Sequence, residues 1–373
     1  MAATAGIGRP ITDAKSCARL AALLFALVLA PASSGVAQAQ RVVAIAPVPA
    51  GPYPFTQDKL DKAIDLARNA GVTGDQLFAT WSALEPSPGV YNLTDLQNAV
   101  AVLGGSFGWK LEVTIAVLNT TVRETPADLS ATAFDDGAMI QRMHALIDQI
   151  VPLFNSNVKY VAIGNEVDIY LANHPAEWSA YRTFYEDAAA YLRSLAPNVE
   201  VGVTTTFSLA NGSEQANVAA LNSTSDVVIF TYYPLGDATT IISPDAPLID
   251  FPRMVQLGGG KPVVLQEVGL PSSPRNASSA RKQARFVRSV FTAWQSVGAL
   301  IPFLSYFCMH NFPPALCDEL VGYYGVDDPT GRFRAFICTL GLRTATGKPK
   351  PGWNAFVTGA QLLNASQSIA AQP

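Results

Sequence analysis

Apolar residues along this chain gather into segments of two alternating kinds. Short, nearly continuous apolar runs occur at 42–46, 76–79, 111–117, 160–163, 199–203, 227–232, 262–266 and 301–307. Several are unbroken Val/Ile/Leu runs, the character of parallel strands buried on both faces. Longer stretches at 56–70, 138–154, 175–195 and 278–297 read as helices. Thr56 and Ser278 are suited to N-caps, and Pro175 to a first helical turn. Strand then helix, eight times over, predicts an α/β fold: a single (β/α)8 TIM barrel. An open doubly wound sheet is the other topology with this alternation. No Gly-x-Gly-x-x-Gly follows the first strand, so a dinucleotide-binding form of it has no support. No Pro/Ser-rich linker interrupts the chain, so residues 40–373 are expected to form one domain.

The first apolar cluster does not belong to this pattern. Residues 20–30 (LAALLFALVLA) follow Arg9, Lys15 and Arg19 and precede Ala37-Gln38-Ala39. That order matches a secretory signal peptide over residues 1–39. The run is too short to span the roughly 30 Å of bilayer hydrocarbon as a helix. An N-terminal anchor or a buried helix is the competing reading. Removal of the leader takes with it Arg9, Lys15, Arg19, Asp13 and Cys17, and moves the net charge from −4 to −6. The mature chain is expected to be secreted or periplasmic, free of a membrane span, and monomeric. In an oxidising compartment, Cys308, Cys317 and Cys338 would supply one disulfide and one odd thiol. Cys308–Cys317 and Cys317–Cys338 are the favoured pairs. Three buried thiols are the alternative.

Composition narrows the partners. Of 373 residues, 14% are charged and 49% hydrophobic, and Lys+Arg (25) is outnumbered by Asp+Glu (29). A basic nucleic-acid binder is excluded on that balance. The three histidines, His144, His174 and His310, are widely spaced and form no metal motif. No phosphate loop and no Gly-x-Ser-x-Gly elbow appear, so no cofactor is expected.

Two carboxylates stand out. Strand four runs into Gly164-Asn165-Glu166, and strand seven into Gln266-Glu267. A carboxylate closing a buried strand is costly unless it lines a polar cavity. Barrel chemistry sits at the C-terminal strand ends, so both side chains should enter one mouth. Two facing Glu residues are the equipment of glycoside hydrolysis. Structural ion pairs are the plainer alternative.

The Asn-Glu after strand four and the Glu after strand seven resemble the retaining (β/α)8 glycoside hydrolases of clan A. The resemblance covers almost the whole mature chain in strand order. It implies an acid/base role for Glu166, a nucleophile role for Glu267, and a contact from Asn165 to the sugar 2-hydroxyl. It also implies that a tyrosine after strand six holds the nucleophile. Thr231-Tyr232-Tyr233-Pro234 offers Tyr232 and Tyr233, and strand alternation admits one of them. Tyr-Tyr-Pro resembles β-1,4-galactanases and β-1,3-glucanases. Glu267-Val268-Gly269-Leu270-Pro271-Ser272 resembles the Glu-x-Gly-Trp-Pro-Ser of the glucanases, with Leu270 in place of Trp. Trp81 with Glu85-Pro86 resembles a strand-two loop of the clan, and Gly347–Trp353 the segment before its last helix. Strand two lacks the clan's arginine, and strand eight lacks its tryptophan.

Flat rings stack on sugar C–H faces. Trp81, Tyr306 and Phe307 are candidate platforms, His310 a candidate hydroxyl partner, and His174 a rim residue. Trp178, Tyr181 and Tyr185 lie at helical spacing and read as core. The expected substrate is a carbohydrate, and the expected activity a retaining β-glycosidase. A non-hydrolytic carbohydrate-binding barrel and a transglycosylase of the cell envelope are the alternatives.

Overall fold

The computed structural model describes residues 40–370. The expected leader and Cys17 lie outside the described residues. Eight parallel strands form the barrel: β1 (Val42–Ile45), β2 (Gly74–Thr80), β3 (Lys110–Asn119), β4 (Val158–Asn165), β5, β6 (Val228–Tyr232), β7 (Val263–Val268) and β8 (Phe303–Tyr306), with a short antiparallel segment, Val122–Arg123, paired to β3. β5 consists of two short segments, Glu200–Gly202 and Thr204–Thr206, separated only by Val203. The first segment pairs with β4 and the second with β6, while β8 pairs with β1, so the ring closes. The expected barrel is the observed one.

Alternation along the strands explains why it holds. On β3, Leu111, Val113, Ile115 and Val117 face outward and join the large core beneath the helices. Burying each such side chain contributes roughly 1.5–3 kcal/mol. The alternate residues Glu112 and Thr114 share the other face, and the Thr114 hydroxyl donates to Glu112 at 2.9 Å. A separate inner cluster, with Val42, Ala44, Tyr160, Ala162, Ile229, Val264 and Phe303, fills the barrel near the strand starts.

Eight helices cover the ring: α1 (Gln57–Asn69), α2 (Thr94–Ala99, running into a π-helical turn), α3 (Gly137–Ile150), α4 (Trp178–Leu195), α5 (Gln215–Leu221), α6 (Pro247–Leu257), α7 (Ala280–Val297) and α8 (Pro351–Ala370). The cap of α7 is Ser279, which accepts from the Lys282 amide at 3.1 Å, one residue beyond the expected Ser278. Tyr181 and Tyr185 of α4 are fully buried, as their spacing suggested.

Between β8 and α8 the chain builds a cap over the C-terminal end of the barrel. Its helices, Pro314–Tyr324 and Arg332–Cys338, are joined by a Cys317–Cys338 disulfide. Cys308 is a buried free thiol. Phe312, Cys317 and Ile337 form the cap's own apolar cluster with Cys308. Lys350, before α8, is buried beneath this segment and donates to Ser272 and Asn311 side chains at 2.9 and 3.1 Å. Burial pulls its ammonium down to about 7. Among the described residues, no helix is long and apolar enough to cross a membrane.

Candidate active site

A cavity of about 800 Å³ opens at the C-terminal strand ends, within the size range of small-molecule sites. Every strand end reaches it, through residues such as Ala46, Phe78, Asn119, Asn165, Thr206, Thr231, Glu267 and Phe307.

Glu166 enters this cavity through an unusual stretch of backbone. Gly164 has φ +95°, and Glu166 itself is left-handed at φ +46°. A Cβ on Gly164 would lie 2.2 Å from the Tyr181 hydroxyl, so the turn-out of β4 needs glycine there. Thr120, also left-handed at φ +55°, donates its hydroxyl to one Glu166 oxygen at 2.7 Å. The Thr231 hydroxyl donates to the other at 2.6 Å. Two residues on, Asp168 is buried and accepts the Thr206 amide at 3.0 Å and the Thr206 hydroxyl at 2.6 Å. That clamp ties the start of the post-β4 helix to the end of β5.

Glu267 faces Glu166 across this mouth. Thr231, which bonds Glu166, is the β-ladder neighbour of Glu267. The Tyr233 phenol donates to Glu267 at 2.5 Å. Gly269 makes room for that ring, since a Cβ there would lie 2.6 Å from it. Burial raises both carboxyls above the ordinary range, and the charge of Glu166 helps push Glu267 up to about 8. Charging both groups in so confined a site is costly, which favours one proton held between them. Hydrogen bonding does not separate them: each accepts from hydroxyl donors that favour its charged form. Beside Glu267, the Tyr233 phenol is driven far above its usual value and stays a donor.

Asn165 sits in a chain of amides and hydroxyls around the mouth. The Gln266 amide donates to it at 2.7 Å, and it donates to Asn119 at 2.9 Å. Asn119 donates on to the Tyr323 hydroxyl of the cap at 2.8 Å. Tyr323 donates to Glu124, which also accepts from Ser82 at 2.7 Å. Thr204 closes the far end by donating to Gln266. The cap is thereby fastened to β3, β4, β5 and β7 through polar side chains.

Four expected contact residues lie elsewhere. Tyr232 points outward from β6, buried among Phe207, Phe251 and Phe286, and donates to Asp250 at 2.6 Å. Alternation therefore gives the cavity to Tyr233. Trp81 is fully buried, stacks near Phe184, and donates to the buried Glu85 at 3.0 Å. Glu85 also pairs with Arg142 at 2.8 Å, so the Trp-Glu-Pro loop is a structural clasp. Tyr306 is turned outward against Phe356. His310 is buried, its ring bonded to the Val48 carbonyl at 2.7 Å and to Arg343 at 3.1 Å. In each case the side chain is buried in the protein interior. Phe307, past the outward Tyr306, does line the cavity. His174 stacks on Tyr170 and bonds its carbonyl at 2.9 Å, away from the cavity lining.

The structure adds residues that carried no expectation: Gln76, Phe78, Thr120, Tyr323 and Tyr324. Phe78 is 43% exposed although it lies in a barrel strand, because its ring faces the cavity. A polar or aromatic residue at an inward strand position was the available signal for Gln76 and Phe78. No signal marked the cap tyrosines, which come from a long loop without strand pattern. Among the described residues, no group of His, Cys, Asp and Glu is arranged to hold a metal ion.

No protein-family model matches this chain, and no curated protein matches it by sequence. Solved structures match it in fold. GH5_18 from Streptomyces cattleya in complex with GlcNAc aligns at TM-score 0.70 and 15% identity, over 90% of this chain and 82% of that one. The exo-β-1,4-mannosidase Op5Man5 from Opitutaceae bacterium strain TAV5 gives 0.68 and 18%, over 88% and 60%. A family 39 glycoside hydrolase from Bacteroides cellulosilyticus WH2 gives 0.61 and 14%, over 88% and 64%. At such identities the likeness is one of fold: a (β/α)8 barrel shared with these enzymes.

Proposed function

We propose that the protein is a retaining glycoside hydrolase, exported from the cytoplasm, that cleaves a β-glycosidic bond by double displacement. One observation carries the reading. Two half-buried carboxyls, closing β4 and β7, line a single cavity, and desolvation together with the charge of Glu166 raises the pKa of Glu267. In retaining enzymes such a pair lies about 5–5.5 Å apart.

Glu267, held by Tyr233, attacks the anomeric carbon. Glu166 gives its proton to the departing glycosidic oxygen as that bond breaks. Water then enters where the leaving group stood, passes a proton to Glu166, and displaces Glu267 from the anomeric carbon. The shared proton suits this cycle, since one carboxyl must start protonated and the other charged. Asn165 has two amide N–H groups, one committed to Asn119. The other is the donor we assign to the sugar 2-hydroxyl.

The cavity lining contains Glu124, Glu166, Glu267 and Glu319 and no Lys or Arg. That charge pattern favours a neutral sugar over a polyanion. The motif likeness to glucanases and galactanases and the fold likeness to a β-mannosidase point to different glycones. Export is supported by the leader-like N-terminus and the disulfide.

The test is a panel of β-glucans, galactans, mannans, xylans and aryl β-glycosides, with product sizing and NMR of the newly formed anomer. Retention of configuration is expected. Glu166→Ala and Glu267→Ala should each lower kcat at least about 1000-fold, and azide should partly restore Glu267→Ala by taking the nucleophile's place. Full activity in both variants would sink the proposal. Glycan binding without any bond cleavage would favour a binding barrel instead.

A further inference from the structure

The segments that follow the strands differ in length, and the difference shapes the mouth. After β4 and β5 the chain turns straight into helix: Val167–Asn173 begins at once past Glu166, and Phe207–Ala210 directly past Thr206. These short junctions raise no wall. The cap, between β8 and α8, raises a long one. Its first helix, Pro314–Tyr324, turns Glu319, Leu320, Tyr323 and Tyr324 to the cavity, the spacing of one helical face. Its second helix and the turn after it add Phe333, Phe336, Ile337 and Leu340.

The cap is anchored on both sides of the low arc. On one side, the Tyr324 carbonyl accepts from Thr121 at 3.1 Å, and the Tyr323 hydroxyl accepts from Asn119 and donates to Glu124, so the cap meets the end of β3. Glu124 also accepts from Ser82, just past β2, at 2.7 Å. Ala46 and Val48, past β1, pack against the cap's apolar cluster. On the other side, Arg275 and Asn276, past β7, donate to the carbonyls of Thr330 and Arg332 at 2.9 and 3.0 Å. Asn276 also donates to the Thr239 carbonyl, past β6, at 2.8 Å. Phe336 packs edge-to-face on Tyr233 with ring centres 5.3 Å apart, and Leu340 lies beside Gly269. Among the described residues, no direct hydrogen bond joins the cap to the segments after β4 and β5. It reaches those strands only through Asn119 and the amide chain of the floor. The wall is therefore a horseshoe that runs from β6 through β7, β8, β1 and β2 to β3, with its gap at β4 and β5.

A glycan chain that lies across a barrel mouth needs two lateral exits, one on each side of the bond that is cut. This mouth has one. We infer that the site is a blind-ended pocket for the terminal sugar of a chain, so that the protein trims oligosaccharides from the non-reducing end. The inference rests on the hydrolase reading above. Glu166 closes β4, at the gap, and protonates the leaving oxygen, so the departing chain faces the gap. Glu267 closes β7, under the wall, so the sugar it attacks is the enclosed one. The wall carries rings, Phe333 and Phe336, and a carboxylate, Glu319. A terminal sugar presents the matching C–H face and free hydroxyls. The bond broken is the glycosidic C–O between that sugar and the rest of the chain. The shortened chain leaves with the proton of Glu166, and water supplies the anomeric hydroxyl of the freed sugar.

The experiment uses the purified full chain and β-linked gluco-, manno-, galacto- and xylo-oligosaccharides, from disaccharide to hexasaccharide, with a fluorescent label at the reducing end. A second set carries a benzyl ether on the chain-linking hydroxyl of the non-reducing sugar. With the first set, the label should appear on chains shortened stepwise, and the unlabelled product should have one constant size from the earliest time. With the second set, cleavage should be lost. The hexasaccharide decides this sharply, since it has internal bonds far from the ether that an open cleft would cut. Cleavage of the benzylated hexasaccharide, or labelled fragments of scattered size at early times, overturns the blind pocket and leaves the hydrolase reading standing. A constant labelled fragment, from attack at the labelled end, overturns the assigned direction. Cleavage of no oligosaccharide in the first set, with none of the aryl β-glycosides cut either, overturns both readings.

Discussion

Glu112 offers a measurement that does not depend on knowing the substrate. It is fully buried on β3, where one oxygen accepts from Thr114 at 2.9 Å and the other has no hydrogen-bond partner. Asp75 on β2 and Glu267 on β7 add negative charge around it, and Tyr160 is its β-ladder neighbour on β4. Burial, reinforced by those charges, pushes its carboxyl from 4.5 up to about 8. The sign follows from which state holds the proton. Below the unfolded value both states are protonated and Glu112 has no effect on the balance. As pH rises, the unfolded chain releases its proton first while the folded chain keeps it. Folded stability is therefore lost progressively as pH rises from 4.5 through about 8. For one group with that shift, the loss between pH 5 and pH 8 is on the order of 3 kcal/mol. The melting entropy of a domain this size is roughly 700 cal/mol/K, which converts the loss into about 4 °C. Glu112→Gln keeps the shape and removes the titration. Its new amide N–H groups add a pH-independent cost of about 1–3 kcal/mol. The readout is thus the difference in Tm between variant and parent, followed from pH 5 to pH 8 by scanning calorimetry. That difference should move in the variant's favour by about 4 °C. A difference that stays flat would refute a buried, proton-holding Glu112. Asp168 (about 7), Glu267 (about 8) and Lys350 (about 7) titrate in the same window. They bend both curves; Asp168 and Lys350 largely cancel in the difference, and Glu267, whose charge acts on Glu112, cancels only in part.

The carboxyl pair and the cap lead to two further expectations. If Glu166 and Glu267 work with one proton between them, kcat/KM should pass through a maximum and fall on the alkaline side near pH 8. Tyr233→Phe removes a donor that favours charged Glu267. The acid limb should then move upward by about 0.5–1 pH unit, and an unmoved limb would show that the phenol does not steady that charge. The Cys317–Cys338 bridge closes a loop with a sequence separation of 21. Such a loop is worth about 3 kcal/mol of local order. Cys338→Ser should open the cap helices to limited proteolysis while the barrel stays resistant, and equal resistance would place the cap's order elsewhere.

How far the structure was legible in the sequence depends on where a side chain finds its partners. The barrel was legible because parallel strands are buried on both faces and announce themselves as unbroken apolar runs. β5 was the weakest of these. Its apolar run spans 199–203, whereas the strand is split at Val203 and continues through three threonines, Thr204–Thr206. Two of those residues serve the mouth: Thr204 donates to Gln266 and Thr206 binds Asp168. The two carboxyls were legible for the complementary reason: a Glu that ends an apolar run must be answered by a cavity. Which tyrosine followed Thr231 inward was decided by alternation once the strand's register was fixed.

The aromatic residues show the limit of that logic. Trp81, Tyr306 and Phe307 were equally eligible, since each stands near a strand end and each can bury or present a ring. What separated them was a partner that composition does not reveal. Glu85 and Phe184 draw Trp81 inward, and Phe356 receives Tyr306 from α8, fifty residues along the chain. Only Phe307 is left to the cavity. The cap was illegible for the same reason in stronger form. Its helices bury little by themselves, and they are placed by one disulfide and by Tyr323 bonding to Asn119 and Glu124, contacts separated by about two hundred residues. Local pattern can locate a scaffold that repeats itself eight times. It cannot locate a wall whose position is set by side chains of other strands, and that wall closes the cavity over both carboxyls.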